Sequence, residues 1–211
     1  MGQYYKPCVL HTEGKKTRPR AWVYSHRIKS RYKHPDGTTY TIGSGLKLME
    51  HSWLLNPFVR TIERLLMPDG DWYKQPIVWA GDYADDEKDT IYNWMDKEGE
   101  IRESKGINLY DFCNDNNEVT KNLKRTVPKE FKYIVNHTTK QFVDKTKVPN
   151  NDGWRIHPLP LLTCEGNGRG LGDYCNQGEH TEQVGIWARH IISIEKDIPE
   201  GYTEFIFTLT Y

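Results

Sequence analysis

The stretch QPIVWAG, Gln75–Gly81, is a compact apolar run of strand length. A short apolar run bounded by polar residues is typical of a strand in a protein core. The acidic stretch DYADDEKD (82–89) that follows is predicted to form a loop, and TIYNWMDK (90–97) after it is predicted to be helical. The middle of the chain is therefore expected to hold a buried strand next to helical segments.

The segments before this run predict strands and then a helix. YYKPCVL (4–10) and RAWVYSH (20–26) are short, aromatic and β-branched, which favours a long hairpin or two neighbouring strands. KSRYKHPDGTTYTIGSG (29–45) is a basic excursion rich in turn residues. Apolar residues at positions 58, 62, 65 and 66 share one helix face, and Asn56-Pro57 is a typical helix start.

The C-terminal half returns to strands after a polar stretch. A surface excursion around 98–128 is predicted to hold one or two short helices. KYIVNHTTKQFVDK (132–145) has the alternation of a β-hairpin around a polar turn. RIHPLPLLTCE (155–165) is predicted to be an edge strand or two broken halves because of its prolines. VGIWARHIISIEK (184–196) and YTEFIFTLT (202–210) are predicted strands.

The order of these elements predicts the fold class. Strands cluster at both ends of the chain and helices lie between them, which is an α+β order and not a βαβ alternation. We therefore expect a single α+β domain over 1–211, with a mainly antiparallel sheet built from N- and C-terminal strands and with central helices.

Composition limits the classes of function. The 29 Lys and Arg residues balance 29 Asp and Glu residues, so the composition gives no strong signal of nucleic-acid binding. Only a local basic patch could bind a nucleic acid. No apolar run of about 18 residues and no leader pattern occurs, which predicts a cytoplasmic protein without a membrane partner. The four cysteines form no CxxC pair, so a zinc ribbon or a disulfide scaffold is not expected.

The stretch LLTCEGNGRGLGDY (161–174) is a candidate ligand cradle. Its four glycines alternate around Arg169, and backbone amides in such a turn can surround an anion that a guanidinium clamps. The polar residues Glu165, Asn167 and Asp173 lie in the same segment. The spacing matches no P-loop or dinucleotide fingerprint, so a flexible connector between strands is the alternative.

Further candidates come from three other segments. MEHSW (49–53) combines an acid, an imidazole and an aromatic platform. Acidic residues directly follow the apolar run that ends at position 81. In the predicted strand 184–196, an aromatic residue and an arginine lie on the same side. Ten residues are predicted ligand contacts: Glu50, Trp53, Asp82, Tyr83, Glu165, Asn167, Arg169, Asp173, Trp187 and Arg189. If the protein is an enzyme, His51 and His157 are the predicted acid and base. No metal-binding residue is assigned among these candidates, and the sequence leaves the cofactor open.

Several segments also resemble a family of uncharacterised proteins of phage and bacterial genomes. They are MGQYYKP, GLKLMEHSW, VWAGDYAD, VNHT, WRIHPLPLLTCEGNGRGLGDY and GIWARHIISIEK, and together they span nearly the whole chain. The resemblance implies a setting in which small phage proteins sequester or degrade nucleotide signals of host immunity. It carries over no catalytic residue.

Three functions are consistent with these patterns. The first is binding, with possible sequestration, of a small anionic and nucleotide-derived ligand, as a phage counter-defence protein would do. The second is hydrolysis of such a ligand by a phosphodiesterase that uses His51 or His157, with Asp82 as a possible metal ligand. The third is a protein-interaction module in which the aromatic residues belong to the core or to an interface. The sequence leaves the oligomeric state open.

Overall fold

A computed structural model describes residues 3–13, 16–33, 35–96, 98–113, 118–166, 174 and 181–210. Strands predominate in this part of the chain. In chain order they are β1 (Tyr5–Glu13), β2 (Lys16–Trp22), β3 (Lys29–Lys33), β4 (Thr39–Gly43), β5 (Gln75–Gly81), β6 (Ile91–Met95), β7 (Ile101–Lys105), β8 (Tyr133–Asn136), β9 (Gln141–Asp144), β10 (Cys164–Glu165), β11 (Ile191–Glu195) and β12 (Thr203–Glu204). The helices are α1 (Leu48–His51), α2 (Pro57–Leu65), α3 (Leu109–Phe112) and α4 (Pro158–Thr163).

The main sheet is mostly antiparallel and has β5 at its centre. Its strand order is β12-β9-β8-β11-β5-β1-β2-β6-β7, and β10 adds to β5 in parallel beyond the short β11 pairing. Strands from the N-terminal and C-terminal parts of the chain thus lie on opposite sides of β5. The predicted α+β class, the mainly antiparallel sheet and the central helices are confirmed.

The central strand β5 is buried on both faces. Ile77 and Trp79 pack into a large core together with α2 and α4, whereas Val78 and Ala80 pack into a second cluster with β6 and α3. Because strand side chains alternate between faces, a strand covered on both sides needs an unbroken apolar sequence. This burial explains why the sequence of β5 is an unbroken apolar run.

Helix α2 begins where the sequence predicts. The side-chain oxygen of Asn56 accepts hydrogen bonds from the amides of Phe58 (2.8 Å) and Val59 (3.4 Å), and Pro57 occupies the first helical position. The buried face includes Phe58 and Ile62, which both belong to the larger core. The cap and the apolar face therefore fix the helix against the sheet.

The predicted strand around 155–165 is wrong over most of its length, since this segment forms α4. Pro158 and Pro160 both fall in the first turn, where backbone amides have no acceptor within the helix and a missing N–H costs nothing. The Nδ1 atom of His157 caps the helix by accepting from the amide of Leu159 at 3.2 Å. The prolines therefore start a helix here instead of interrupting a strand.

The predicted helix at 90–97 is also wrong, since β6 and β7 form a hairpin. Asp96 closes its turn, because one carboxylate oxygen accepts from the amides of Glu98 (3.0 Å) and Glu100 (2.8 Å). Gly99 supplies a positive φ of 84°. Within the polar excursion predicted around 98–128, α3 is a short helix as expected, whereas β7 is a strand.

Replacement of Asn56 by Ala is expected to lower the free energy of unfolding by about 1 kcal/mol, because two amides of α2 lose their acceptor. Asn56→Asp keeps an acceptor and should stay near the parent. The urea midpoint of each variant measures the effect. Equal midpoints for the alanine variant and the parent would contradict the role of the cap.

Candidate functional site

A pocket of about 580 Å³ lies beside α2, away from the sheet interior. Ligand sites usually have volumes of about 300–1,000 Å³. Its wall comes from α2 and from four connecting segments at 53–55, 127–132, 145–146 and 153–157. Backbone hydrogen bonds join two of these connections, since the amide of Leu54 donates to Arg155 at 3.0 Å and the amide of His157 donates to Ser52 at 2.9 Å.

Five cationic side chains line this space, and Glu63 is the carboxylate among its lining residues. We call it the cation pocket after these five residues: Arg60, Lys129, Lys132, Lys145 and Arg155. Lys145 is paired with Glu63. Among the described residues, the other four form no ion pair with a carboxylate. The wall therefore carries an uncompensated positive charge that favours an anion.

Backbone carbonyls hold the two arginines of the cation pocket. An Nη2 atom of Arg60 donates to the carbonyl of Val127 at 3.3 Å, and that of Arg155 donates to the carbonyls of Thr146 (2.7 Å) and Val148 (3.2 Å). A guanidinium has five N–H donors, so these bonds orient each group without using all of its donors. A carbonyl also leaves the positive charge unneutralised.

A tryptophan pair forms the aromatic side of the pocket mouth. The ring centroids of Trp53 and Trp154 are 4.7 Å apart with an interplanar angle of 53°, and Trp154 is 56% exposed. A tight hairpin turn presents Trp154, since Asn151 and Trp154 exchange backbone hydrogen bonds around Asp152 (φ 47°) and Gly153 (φ 87°). Two consecutive positive φ values are those of a type I′ turn, for which Asp-Gly is a preferred sequence.

Glu63, Lys145 and His157 form a buried polar group at the pocket wall. The Oε1 atom of Glu63 contacts the ammonium of Lys145 and lies 3.2 Å from Nε2 of His157. Burial on its own would raise the pKa of Glu63, but His157 and Lys145 act more strongly and the pKa falls to about 2. Burial lowers the pKa of His157 in spite of Glu63. The other ring nitrogen of His157, Nδ1, caps α4.

The two predicted catalytic histidines are enclosed. His51 is fully buried, and its Nε2 atom accepts from the indole N–H of Trp79 at 3.0 Å. Burial lowers the pKa of His51 to about 3, against the opposing effect of a hydrogen bond with the backbone of Gly45. His157 is 1% exposed, and both of its ring nitrogens face protein groups. Neither imidazole is presented to a substrate in this structure.

Four of the predicted ligand contacts lie near the chain positions 50 and 82. Trp53 lines the cation pocket, whereas Glu50 accepts from the amides of Leu46 and Lys47 at the start of α1. Asp82 accepts from the amide of Tyr4 at 3.0 Å. Asp82 and Tyr83 do not line the pocket, and Tyr83 is 41% exposed.

Among the remaining predicted contacts that the structure describes, Glu165, Trp187 and Arg189 do not line the cation pocket. Trp187 is 1% exposed and packs in the larger core, and β11 begins only after it, so the expected alternation with Arg189 is wrong. Arg189 has a φ of 65° and lies in a turn. Asn167, Arg169 and Asp173 lie outside the described residues, so the glycine-rich cradle remains a prediction.

Arg189 joins two buried carboxylates at the end of β10. Its Nε and Nη2 atoms donate to the two oxygens of Glu165 at 2.6 Å and 2.8 Å, and the guanidinium also contacts Glu87. Tyr92 donates its hydroxyl to Glu87. Burial alone would lower the pKa of Arg189, but Glu165 and Glu87 raise it well above its usual range. These ion pairs fix the position of Glu165 at the end of β10.

Sequence reasoning missed most residues of the cation pocket. A signal for the turn that presents Trp154 was present, because the Asp-Gly pair before it is a typical hairpin-turn sequence. The cations gave no such signal, since they come from four separate segments and each alone is ordinary surface composition. These cations line one pocket only because the segments that carry them pack side by side in the fold.

Comparison of the chain with protein-family models, with curated proteins and with solved structures gives no match. Over the described ranges, helices are too short or too polar to cross a bilayer. The same part of the chain holds no group of three or more His, Cys, Asp or Glu side chains that could bind a metal ion. The function of this chain is therefore inferred from its own structure.

The stability of the protein is expected to fall as the pH drops from about 4.5 to about 2, and Glu63 should account for part of this loss. Its pKa is lower in the folded chain, so the unfolded chain takes up a proton first and the stabilisation present above pH 4.5 disappears. The Glu63 contribution is about 3 kcal/mol. Glu63→Gln together with Lys145→Met should flatten this part of the profile of melting temperature against pH.

Arg189→Met is expected to cost about 3–5 kcal/mol of folding free energy, because it leaves two buried carboxylates without their cation. The triple variant that adds Glu87→Gln and Glu165→Gln should recover most of this loss. Urea unfolding of the three proteins measures it. A triple variant as unstable as Arg189→Met would show that the loss comes from packing and not from the uncompensated charges.

Proposed function

We propose that this protein binds a small anionic ligand with a planar ring, such as a nucleotide, in the cation pocket. The observation that carries the proposal is a combination of two features of one pocket. Four cations have no carboxylate partner among the described residues, and beside them lies a tryptophan pair in which Trp154 is 56% exposed. Cations bind phosphate groups, and indole rings stack on nucleobases or other planar rings. Both halves of a nucleotide therefore have a partner within one 580 Å³ space.

The geometry supports sequestration better than hydrolysis. General acid or base catalysis needs a titratable group within hydrogen-bond reach of the substrate. The imidazoles of His51 and His157 are buried and engaged with protein groups, and Glu63 is engaged with Lys145. The resemblance to a family of phage and bacterial proteins implies a phage setting. In that setting the ligand would be a nucleotide signal of host immunity, which the protein holds intact and keeps from its receptor.

Trp154→Ala is expected to weaken nucleotide binding about tenfold, since stacking on one base contributes about 1–3 kcal/mol. Tyr83→Ala removes an exposed aromatic ring outside the pocket and should change nothing. Calorimetry measures the binding of four probes: adenosine monophosphate, cyclic nucleotides, adenosine and inorganic phosphate. A nucleotide should bind more tightly than either the nucleoside or phosphate alone, because each of these uses only part of the pocket.

Arg60→Gln and Lys132→Gln serve as cation variants, and each should weaken nucleotide binding without changing adenosine binding. Mass spectrometry of molecules released from the purified protein separates sequestration from turnover, since a sequestered nucleotide is recovered intact and a substrate is recovered cleaved. Loss of binding in Arg169→Ala with full binding in Trp154→Ala would move the site from the cation pocket to the glycine-rich segment.

A further inference from the structure

The zero net charge of the chain conceals a strong local excess of positive charge. Residues 14–35 contain eight of the 29 Lys and Arg residues and none of the 29 acidic residues. The other 21 basic residues are therefore outnumbered by 29 acidic residues in the rest of the chain. Five residues of this segment, Lys29–Lys33, form strand β3, which pairs with β4 in a two-stranded sheet separate from the main one. We call β3 and β4 the basic ribbon.

Three cations lie in a row on one face of the basic ribbon. Lys29, Arg31 and Lys33 occupy alternate positions of β3, so their side chains point to the same side, and all three are exposed. Their partners on β4 are Gly43, Thr41 and Thr39, which are exposed as well. Directly opposite residues share a face, so this side combines three positive charges with two hydroxyl groups and no carboxylate.

A second basic segment reaches the base of the ribbon. Residues 119–129 contain four Lys and Arg residues and no acidic residue. Arg125 donates a hydrogen bond from Nη1 to the backbone carbonyl of Lys29 at 3.0 Å. The acidic residue at the ribbon tip, Asp36, is engaged in its own turn, where it accepts from the amide (2.8 Å) and the hydroxyl (2.7 Å) of Thr38. Arg125 therefore adds a fourth cation beside β3.

We propose that the basic ribbon is a second binding site, separate from the cation pocket, which contacts the phosphate backbone of duplex DNA. Alternate residues of a strand are about 6.6–6.8 Å apart. Duplex DNA carries a dense row of phosphates along each strand, so a row of exposed cations has several negative partners within its length. The major groove is about 12 Å wide and admits a two-stranded β-ribbon.

The side chains of the ribbon favour DNA over a lipid surface or a double-stranded RNA. Lys, Arg and Thr are side chains that contact phosphate oxygens, and such contacts carry no base sequence, so binding is independent of sequence. Surfaces that bind membranes combine basic residues with Trp, Phe or Leu, whereas the described side chains on this face are cationic or carry hydroxyls. The major groove of RNA is too narrow for a ribbon.

The test is fluorescence anisotropy of a labelled DNA duplex with the whole protein over a series of salt concentrations. Each phosphate neutralised contributes about −0.9 to the slope of log K against log salt. The variant Lys29→Gln, Arg31→Gln, Lys33→Gln should lower the magnitude of the slope by about 3 and weaken binding at low salt at least tenfold. Circular dichroism and the melting temperature show whether the variant remains folded.

A matched control removes three exposed lysines elsewhere, in the variant Lys88→Gln, Lys105→Gln, Lys140→Gln. It changes the net charge equally and should keep the slope of the parent. An equal loss in this control would overturn the ribbon site, because the effect would then be one of overall charge. Trp154→Ala should bind the duplex as the parent does, which keeps this result independent of the cation pocket.

Three further outcomes would overturn the assignment. The first is no binding of duplex DNA by the parent protein at low salt. The second is tighter binding of single-stranded DNA or duplex RNA than of the DNA duplex, which would exclude insertion of the ribbon into a major groove. The third is binding of anionic phosphatidylserine vesicles that depends on Lys29, Arg31 and Lys33 in the absence of binding to the duplex.

Discussion

The burial of β5 on both faces is the constraint on which the rest of the fold depends. Ile77 and Trp79 need one apolar layer, and Val78 and Ala80 need another, so the chain must cover the strand twice. Helices α2 and α4 supply one cover, and α3 with β6 supplies the other. Even the polar atom of the strand's largest side chain is satisfied inside, because the indole of Trp79 donates to His51. A polar residue at any of these four positions would face a dry core.

Local sequence signals predicted much of the fold and failed where tertiary context decides. The cap at Asn56, the run at β5 and the β8-β9 hairpin follow from neighbours in sequence and were predictable. The segments at 90–97 and 155–165 were predicted wrongly. The structural effect of Asp96 and of the two prolines in α4 depends on whether the residue lies at the start, in the middle or at the end of its element. Periodicity alone does not give that starting point.

The candidate site was less predictable than the fold for a related reason. Trp53 was identified from its own segment, but Arg60, Lys132 and Arg155 become one group only after α2 and two of the connections have packed together. Conversely, Trp187 and Arg189 have the residue types of ligand contacts and are used instead for the core and for the ion pairs with Glu165 and Glu87. Residue type indicates chemistry, whereas burial decides whether that chemistry faces a ligand.

The lining of the cation pocket comes from α2 and from connecting segments, whereas the strands of the main sheet contribute only positions next to their ends. Substitutions at residues such as Lys129, Lys132 and Trp154 would therefore change the charge and the aromatic surface of the pocket without repacking β5 or its two covers. The architecture separates the part of the molecule that must stay constant to fold from the part that is free to diversify. A different set of side chains could thus be placed around the same pocket without a change in the sheet.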